Sequence, residues 1–94
     1  MSEPLKESEI ESRLINLQDW RHKEDHLKKS FAFSNFRDAM AFILRLSYEA
    51  EQQDHHPEIF NCYNRVDLSL NTHDAGGKVT EKDFSLATAI DAVA

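Results

Sequence analysis

An amphipathic segment in the middle of the 94-residue chain separates two stretches in which apolar and polar side chains alternate. Apolar residues recur at helical spacing from Phe36 to Ala50, and Ser34 or Asn35 can cap a helix that runs to about Gln53. The flanking stretches repeat every second residue, as strands with one buried face do. A helix between two pairs of strands favours an antiparallel sheet with helices on one face.

Capping signatures predict one further helix at each end of the chain. Ser8-Glu9-Ile10-Glu11 has the spacing of a capping box and predicts a first helix over residues 9–18. Thr80-Glu81-Lys82-Asp83 has the same signature after a turn at Gly76-Gly77, and it predicts a third helix with Phe84, Ala87 and Ile90 inward. The predicted fold is therefore α+β, in the order α-β-β-α-β-β-α, with a four-stranded antiparallel sheet and three helices on one face.

The strands divide into an early pair and a late pair. A short strand over 20–25 and a strand over 27–33 form the early pair. In the late pair, residues 58–63 precede the cleanly alternating residues 66–70. Phe60 and Cys62 share a face with the apolar residues of 66–70 only if the loop is the three residues 63–65. Under that register Cys62 is a small core residue.

Two apolar sets run along the predicted 35–53 helix. The second set, Ala41, Leu44 and Tyr48, lies roughly opposite the first. Leaving Leu44 in water forgoes about 1.5–3 kcal/mol of burial. We therefore expect this face to meet another subunit. The first set forms the predicted core face and comprises Phe36, Ala39, Met40, Ile43, Leu46 and Ala50.

Composition restricts the class of protein. A net charge of −6 gives no electrostatic basis for binding nucleic acid or an anionic membrane. The single cysteine excludes an intrachain disulfide and a multi-cysteine zinc site. No apolar run approaches the roughly 18 residues of a membrane span, and residues 2–11 lack the core of a signal peptide. We expect one cytoplasmic domain over 1–94, with 1–7 as a flexible tail.

Histidines are the side chains most suggestive of chemistry. His55-His56-Pro57 precedes Asn71-Thr72-His73-Asp74, and imidazole exchanges protons near neutral pH. A metal site is disfavoured because adjacent extended residues point to opposite faces, and Pro57 makes His56 extended. His22 and His26 fit a solvated surface. Spacing alone leaves acid–base catalysis, ligand binding and an accidental cluster open.

The segment from Glu51 through Asp83 resembles the pterin-4a-carbinolamine dehydratase family. That family's pattern is an acidic or polar residue, three spacers, His-His-Pro, an aromatic residue, a later His and then Asp. The chain departs from many members at Ile59, where they carry tryptophan, and at Lys78, which lengthens the turn before the last helix. The matching positions are Glu51, His55-His56-Pro57, Tyr63, His73 and Asp83.

The resemblance implies a lyase that dehydrates 4a-hydroxytetrahydropterin to quinonoid dihydropterin and water during tetrahydrobiopterin recycling. It implies histidine acid–base catalysis without a metal or cofactor, because the pterin is the substrate. His55, His56 and His73 are the implied catalytic residues, of which His55 and His73 form the acid–base pair and His56 mainly holds the substrate. The metabolic partner implied is an aromatic amino acid hydroxylase.

The resemblance also implies a homodimer or homotetramer assembled through the 35–53 helix, and a pterin pocket. Asp54, Glu51 or Asp83 could fix a histidine tautomer, although Asp83 fits a helix cap equally well. Tyr63 and Trp20 could stack on or border the ring, with core packing equally expected for each. The alternatives are a non-catalytic pterin-binding protein and a dimerisation cofactor of a transcription factor. The implied substrate-binding residues are Asp54, His55, His56, Pro57, Asn71, Thr72, His73 and Asp74.

Overall fold

Three helices cover one face of a four-stranded antiparallel sheet in the computed structural model, which describes residues 3–94. The strand order across the sheet is β1-β2-β4-β3. A 3₁₀ turn over His73–Ala75 precedes the last helix. The predicted α+β class and element order are confirmed. The helices are α1 (Glu7–Leu14), α2 (Phe36–Gln53) and α3 (Glu81–Val93), and the strands are β1 (Arg21–Lys23), β2 (His26–Ala32), β3 (Glu58–Cys62) and β4 (Arg65–Leu70).

Aromatic packing joins α2 to the sheet. The ring of Phe42 is fully buried, 4.8 Å from the ring of Phe31 and 4.9 Å from that of Phe33. The predicted core face of α2 omitted Phe42 and included Phe36, which is 49% exposed. Because Ala39, Phe42, Leu46 and Ala50 define the buried stripe, its centre is rotated towards Phe42, and Phe36 lies at its edge.

The opposite face of α2 is open to solvent, as predicted. Leu44 is 59% exposed and Tyr48 is 68% exposed. The N-terminus of this helix is also as expected, because the side chain of Asn35 accepts a hydrogen bond from the backbone of Asp38 at 2.8 Å. None of the helices described in residues 3–94 is long and apolar enough to cross a bilayer.

The first helix begins and ends earlier than predicted. It covers Glu7–Leu14, and Lys6 precedes it, so Ser8 lies inside the helix instead of capping it. The backbone N–H of Lys6 donates to the Glu9 carboxylate at 3.2 Å. The N–H of Leu5 donates to the carbonyl of Val79 at 2.9 Å, and its side chain packs on the core, so residues 5–7 belong to the fold. Residues 1 and 2 of the predicted tail lie outside the described residues.

The predicted register of the β3–β4 hairpin is wrong by one residue. The turn has two residues, Tyr63 and Asn64, because Cys62 pairs with Arg65 and Asn61 with Val66. Tyr63 adopts a left-handed φ of 53°, which helps to close the short turn without a glycine. A shift of one residue moves every side chain to the opposite face. Phe60 and Cys62 are therefore exposed, and Cys62 is not a core residue.

The third helix follows its predicted capping signature. The side chain of Thr80 accepts a hydrogen bond from the backbone of Lys82, and that of Asp83 accepts one from the backbone of Thr80. Gly76 and Gly77 both have left-handed φ, near 75° and 73°, in the turn before it. The start of α3 is thus anchored beside the end of β4.

Candidate functional site

A cavity of about 240 Å³ lies where the end of α2, the end of β4 and the start of α3 come together. All of the predicted substrate-binding residues except Pro57 line it, so two segments distant in sequence meet as predicted. The sequence analysis missed one lining residue, Lys82. The lining residues are Asp54, His55, His56, Asn71, Thr72, His73, Asp74 and Lys82.

The C-terminus of α2 directs His55 inward. Asp54 follows the last helical residue with a left-handed φ of 50°, a conformation that Asp tolerates better than most residues. The backbone N–H of His55 then donates to the carbonyl of Ala50 at 3.0 Å. This closure ends the helix and leaves His55 only 8% exposed.

A buried hydrogen bond fixes the tautomer of His55. Its Nε2 atom lies 2.5 Å from Oδ1 of Asp83, which is fully buried. Because a carboxylate accepts hydrogen bonds, Nε2 carries the proton, and Nδ1 of the neutral ring is the acceptor. His55 is thus held in one orientation beside the cavity.

Two threonines complete this network around Asp83. Its Oδ2 atom accepts from the backbone N–H of Thr80 at 2.9 Å and from the hydroxyl of Thr72 at 3.0 Å. The hydroxyl of Thr80 lies 2.6 Å from that of Thr72 and donates to it, since the Thr72 proton is directed to Asp83. The sequence left Asp83 open between a helix cap and a histidine partner, and the structure gives it both contacts.

The other two histidines are more exposed. His56 places Nε2 2.5 Å from Oε2 of Glu51, and the two side chains are 56% and 76% exposed. His73 begins the 3₁₀ turn and is exposed. Within residues 3–94 its ring makes no hydrogen bond. The three imidazoles are therefore restrained differently. His55 is fixed by Asp83, His56 is paired with Glu51 at the surface, and the ring of His73 is not restrained by a hydrogen bond within residues 3–94.

The β1–β2 turn contacts both segments that carry the histidines. The Nζ of Lys78, which follows the His73 segment, lies 2.9 Å from Oδ2 of Asp25. That hydrogen bond holds the pKa of Asp25 below its ordinary value. His26, expected on a solvated surface, is half-buried, with Nε2 3.2 Å from Oε2 of Glu58 just after His55-His56-Pro57.

Trp20 and Tyr63 do not line the cavity. Trp20 is 5% exposed, donates from Nε1 to Asp91 at 3.0 Å and packs against Phe31, so it is a core residue. Tyr63 is 61% exposed in the β3–β4 turn. Across residues 3–94, no group of three or more His, Cys, Asp or Glu side chains is placed to hold a metal ion.

The arrangement suits proton transfer on a small ring. Imidazoles work as acids and bases near neutral pH, and positioned groups of this kind commonly contribute about 10²–10⁴-fold in rate. Asp54 and Asp74 add hydrogen-bond acceptors for the N–H groups of a ligand. Lys82 adds an ammonium group, which donates hydrogen bonds. The sequence analysis did not identify Lys82, because a lysine next to Asp83 suggests a binding role only when the fold shows that the start of α3 lies at the cavity.

Comparisons with known proteins agree with this geometry. The family model for pterin 4 alpha carbinolamine dehydratase matches residues 3–93. A relative from Opitutus terrae, assigned by name to the same dehydratases, is 48% identical over 83 residues, which are 88% of this chain and 86% of its own. A relative from Sulfolobus acidocaldarius with the same assignment is 44% identical over 95% of this chain and 97% of its own.

A solved structure supports the same assignment. The transcriptional coactivator/pterin dehydratase from Brucella melitensis superposes with a TM-score of 0.91 at 40% identity, over 97% of this chain and 98% of its own. These matches span nearly the full length of both partners. The chain belongs to the pterin-4-alpha-carbinolamine dehydratase family.

Proposed function

We propose that the protein is a hydro-lyase that converts 4a-hydroxytetrahydropterin to quinonoid dihydropterin and water. The observation that carries the proposal is the group of three imidazoles around one cavity, with His55 oriented by the buried Asp83. Membership of the dehydratase family supports the same substrate class. No cofactor is required, since the pterin itself is the substrate.

The reaction needs one proton removed and one delivered. The base takes the proton from N5, a double bond forms between N5 and C4a, and the C4a–oxygen bond breaks as the acid protonates the departing hydroxyl. The acid gains its proton back from the base through solvent, so the net product is one water. The net charge of the protein is unchanged, because the base gains a proton as the acid gives one up, and imidazoles suit this exchange near neutral pH.

His55 and His73 divide these roles. His55 is the base, because its Nε2 proton is directed to Asp83 and Nδ1 is left to accept. Asp83 then stabilises the imidazolium that forms. His73, exposed on the 3₁₀ turn, is the acid that protonates the hydroxyl. His56, tied to Glu51, mainly holds the substrate.

The remaining lining residues bind the ring. The pyrimidine edge of a pterin carries N–H donors, and Asp54 and Asp74 supply carboxylate acceptors. The amide nitrogen of Asn71 donates to the carbonyl of Gly77 at 3.0 Å. This contact leaves the amide oxygen of Asn71 as a further acceptor for the ring. Pro57 keeps His56 extended without lining the cavity.

In the cell, we infer a cytoplasmic role in tetrahydropterin recycling. The substrate must come from a hydroxylase that uses a tetrahydropterin, such as an aromatic amino acid hydroxylase, and a reductase would consume the product. We also infer a homodimer or homotetramer assembled through the exposed face of α2, where Leu44 and Tyr48 leave apolar surface in water.

The test is the decay of freshly generated 4a-hydroxytetrahydropterin, followed by ultraviolet absorbance. Wild type should accelerate it, and His55→Ala and His73→Ala should each reduce that acceleration at least about tenfold. His22→Ala is the matched control, since His22 lies outside the cavity, and it should match wild type. A wild-type protein that does not accelerate decay over buffer would refute the activity.

A second candidate is an interaction module. Its support is the exposed face of α2 and the similarity to the Brucella melitensis protein, which is a transcriptional coactivator/pterin dehydratase. Another solved structure, with a TM-score of 0.63 and 27% identity over 79% of this chain and 84% of its own, is a pterin dehydratase-like protein identified as a RuBisCO assembly factor in the alpha-carboxysome. An interaction module would keep its function in His55→Ala and His73→Ala, whereas the dehydratase would lose turnover.

A further inference from the structure

Lys82 is the one lysine or arginine among the side chains that line the candidate cavity. It lies in the first turn of α3, directly before Asp83. Within residues 3–94 its ammonium group has neither a salt-bridge nor a hydrogen-bond partner. Its own backbone is fixed, because its N–H donates to the hydroxyl of Thr80 at 3.2 Å. A flexible charged side chain thus extends from a rigid base at the cavity.

The other lining side chains leave few hydrogen-bond donors for a ligand. Asp54 and Asp74 only accept. The hydroxyl of Thr72 already donates to Asp83, and one of the two N–H groups of the Asn71 amide already donates to Gly77. In the proposed reaction His55 and His73 exchange protons, and Nε2 of His56 faces Glu51. With three N–H groups, Lys82 is therefore the lining side chain with the most donors to offer an acceptor atom on a ligand.

The position of Lys82 is unfavourable for the helix alone. The N-terminus of an α-helix carries a partial positive charge, which favours acidic residues and disfavours lysine. The two neighbouring residues in this turn, Glu81 and Asp83, are acidic as the dipole prefers. Arg37 holds the same position in α2 outside the cavity, so the helix dipole alone does not mark a site, and what distinguishes Lys82 is its place in the cavity lining.

We propose that Lys82 is a substrate-binding residue that donates a hydrogen bond to the C4 carbonyl oxygen of the pterin ring. The inference rests on the proposed function, because it takes a 4-oxo pterin as the ligand. The pyrimidine edge offers N–H donors to the carboxylates and one carbonyl acceptor to the ammonium. This pairing sets the orientation of the bound ring in the cavity. C4a, the neighbour of C4, then faces the histidines.

The experiment compares binding of two probes by isothermal titration calorimetry. One probe is a dihydropterin with a 4-oxo group, and the other is its counterpart with a 4-amino group, which presents a donor in place of the acceptor. Wild type should prefer the 4-oxo probe by at least about tenfold, the lower range for a hydrogen bond to a charged group. Lys82→Met should lose most of that preference, and Lys82→Arg should restore much of it.

Arg37→Met is the matched control. Arg37 is exposed in the first turn of α2, at the position that Lys82 holds in α3, and it lies outside the cavity. Its substitution removes one positive charge from an equivalent place and should leave the preference at its wild-type value. Thermal unfolding of both variants checks that folding is intact.

The two proposals fail in different ways. If Lys82→Met keeps the wild-type preference for the 4-oxo probe, the role of Lys82 is refuted even when the enzyme is active. If wild type binds neither probe, the pterin-binding assignment of Lys82 is refuted as well. If wild type binds with the expected preference but does not accelerate dehydration, the catalytic function fails while the binding role of Lys82 stands.

Discussion

The Nε2 atom of His55 lies 2.5 Å from Oδ1 of Asp83 in the protein interior. His56 and Glu51 make a pair of the same length on the surface. Both unite an imidazole with a carboxylate, yet Asp83 is fully buried whereas the side chain of Glu51 is 76% exposed. Water can hydrogen-bond to His56 in place of Glu51, whereas solvent does not reach the interior to take the place of Asp83 beside His55. The two pairs should therefore respond very differently to loss of the carboxylate.

Replacing the buried carboxylate tests this difference. We expect Asp83→Asn to destabilise the fold by about 1–3 kcal/mol, because its amide group meets a donor where an oxygen had accepted. We also expect kcat to fall more than about tenfold, since His55 loses the acceptor that fixes its tautomer. Urea unfolding and the dehydration assay measure the two effects.

Glu51→Gln is the control for that substitution. The exposed pair is expected to contribute no more than about 1 kcal/mol to stability. Equal losses of stability in Asp83→Asn and Glu51→Gln would contradict the argument from burial.

The hydroxyl of Thr72 gives a second test of the network. Thr72→Val keeps the shape of the side chain but removes the donor to Asp83 and the acceptor for Thr80. We expect a loss of about 1–3 kcal/mol of stability, because buried polar groups then remain unpaired. Thr72→Ser retains the hydroxyl and should lose clearly less. Urea unfolding of both variants measures this, and identical losses would indicate that the missing methyl, and not the hydroxyl, is responsible.

Local signals in the sequence predicted the elements well. The extent of α2 and the caps at Asn35 and Thr80 depend on residues within a few positions, and these predictions are confirmed. Such features can be read from short stretches without knowledge of the fold. The placement of His55 and His73 at one cavity joins distant segments, and the family resemblance, not spacing, supplied it.

Several wrong predictions concern features that depend on contacts between residues far apart in the sequence. The β3–β4 register depends on a left-handed Tyr63, which no glycine marks, so Cys62 was assigned to the wrong face. Phe42 was omitted because the sheet determines which part of α2 is buried. Lys82 and the pair of Lys78 with Asp25 join segments that only the folded chain brings together.

The exposed face of α2 predicts self-association. Leu44→Asp places a charge where Leu44, 59% exposed, would contact another copy. We expect the molar mass from light scattering to fall by at least half, since an unpaired charge in an apolar interface opposes assembly. Ser12→Asp adds the same charge at an exposed polar position of α1, outside that face of α2, and should preserve the mass. An unchanged mass in Leu44→Asp would exclude that face from the interface.

The contact between Lys78 and Asp25 predicts an acid-dependent change in stability. The hydrogen bond from Lys78 lowers the pKa of Asp25 in the folded state, below its ordinary value of 3.8. A carboxyl whose pKa falls on folding stabilises the protein above its unfolded pKa, and this contribution is lost as pH falls through the folded value. Asp25→Asn should therefore be less stable than wild type at about pH 7, and the difference should shrink as the pH falls below 3.8 and through the lowered pKa of the folded state.

Salt and a second substitution show whether the ion pair causes that difference. Because both groups are exposed, roughly 1 M salt should screen most of the effect at neutral pH. In Lys78→Met, adding Asp25→Asn should cost little, since the partner is already gone. Lys23→Met, which removes a lysine from the neighbouring strand, should leave the Asp25→Asn effect intact. A difference between wild type and Asp25→Asn that is the same at neutral and acidic pH would show that the carboxylate charge is not its source.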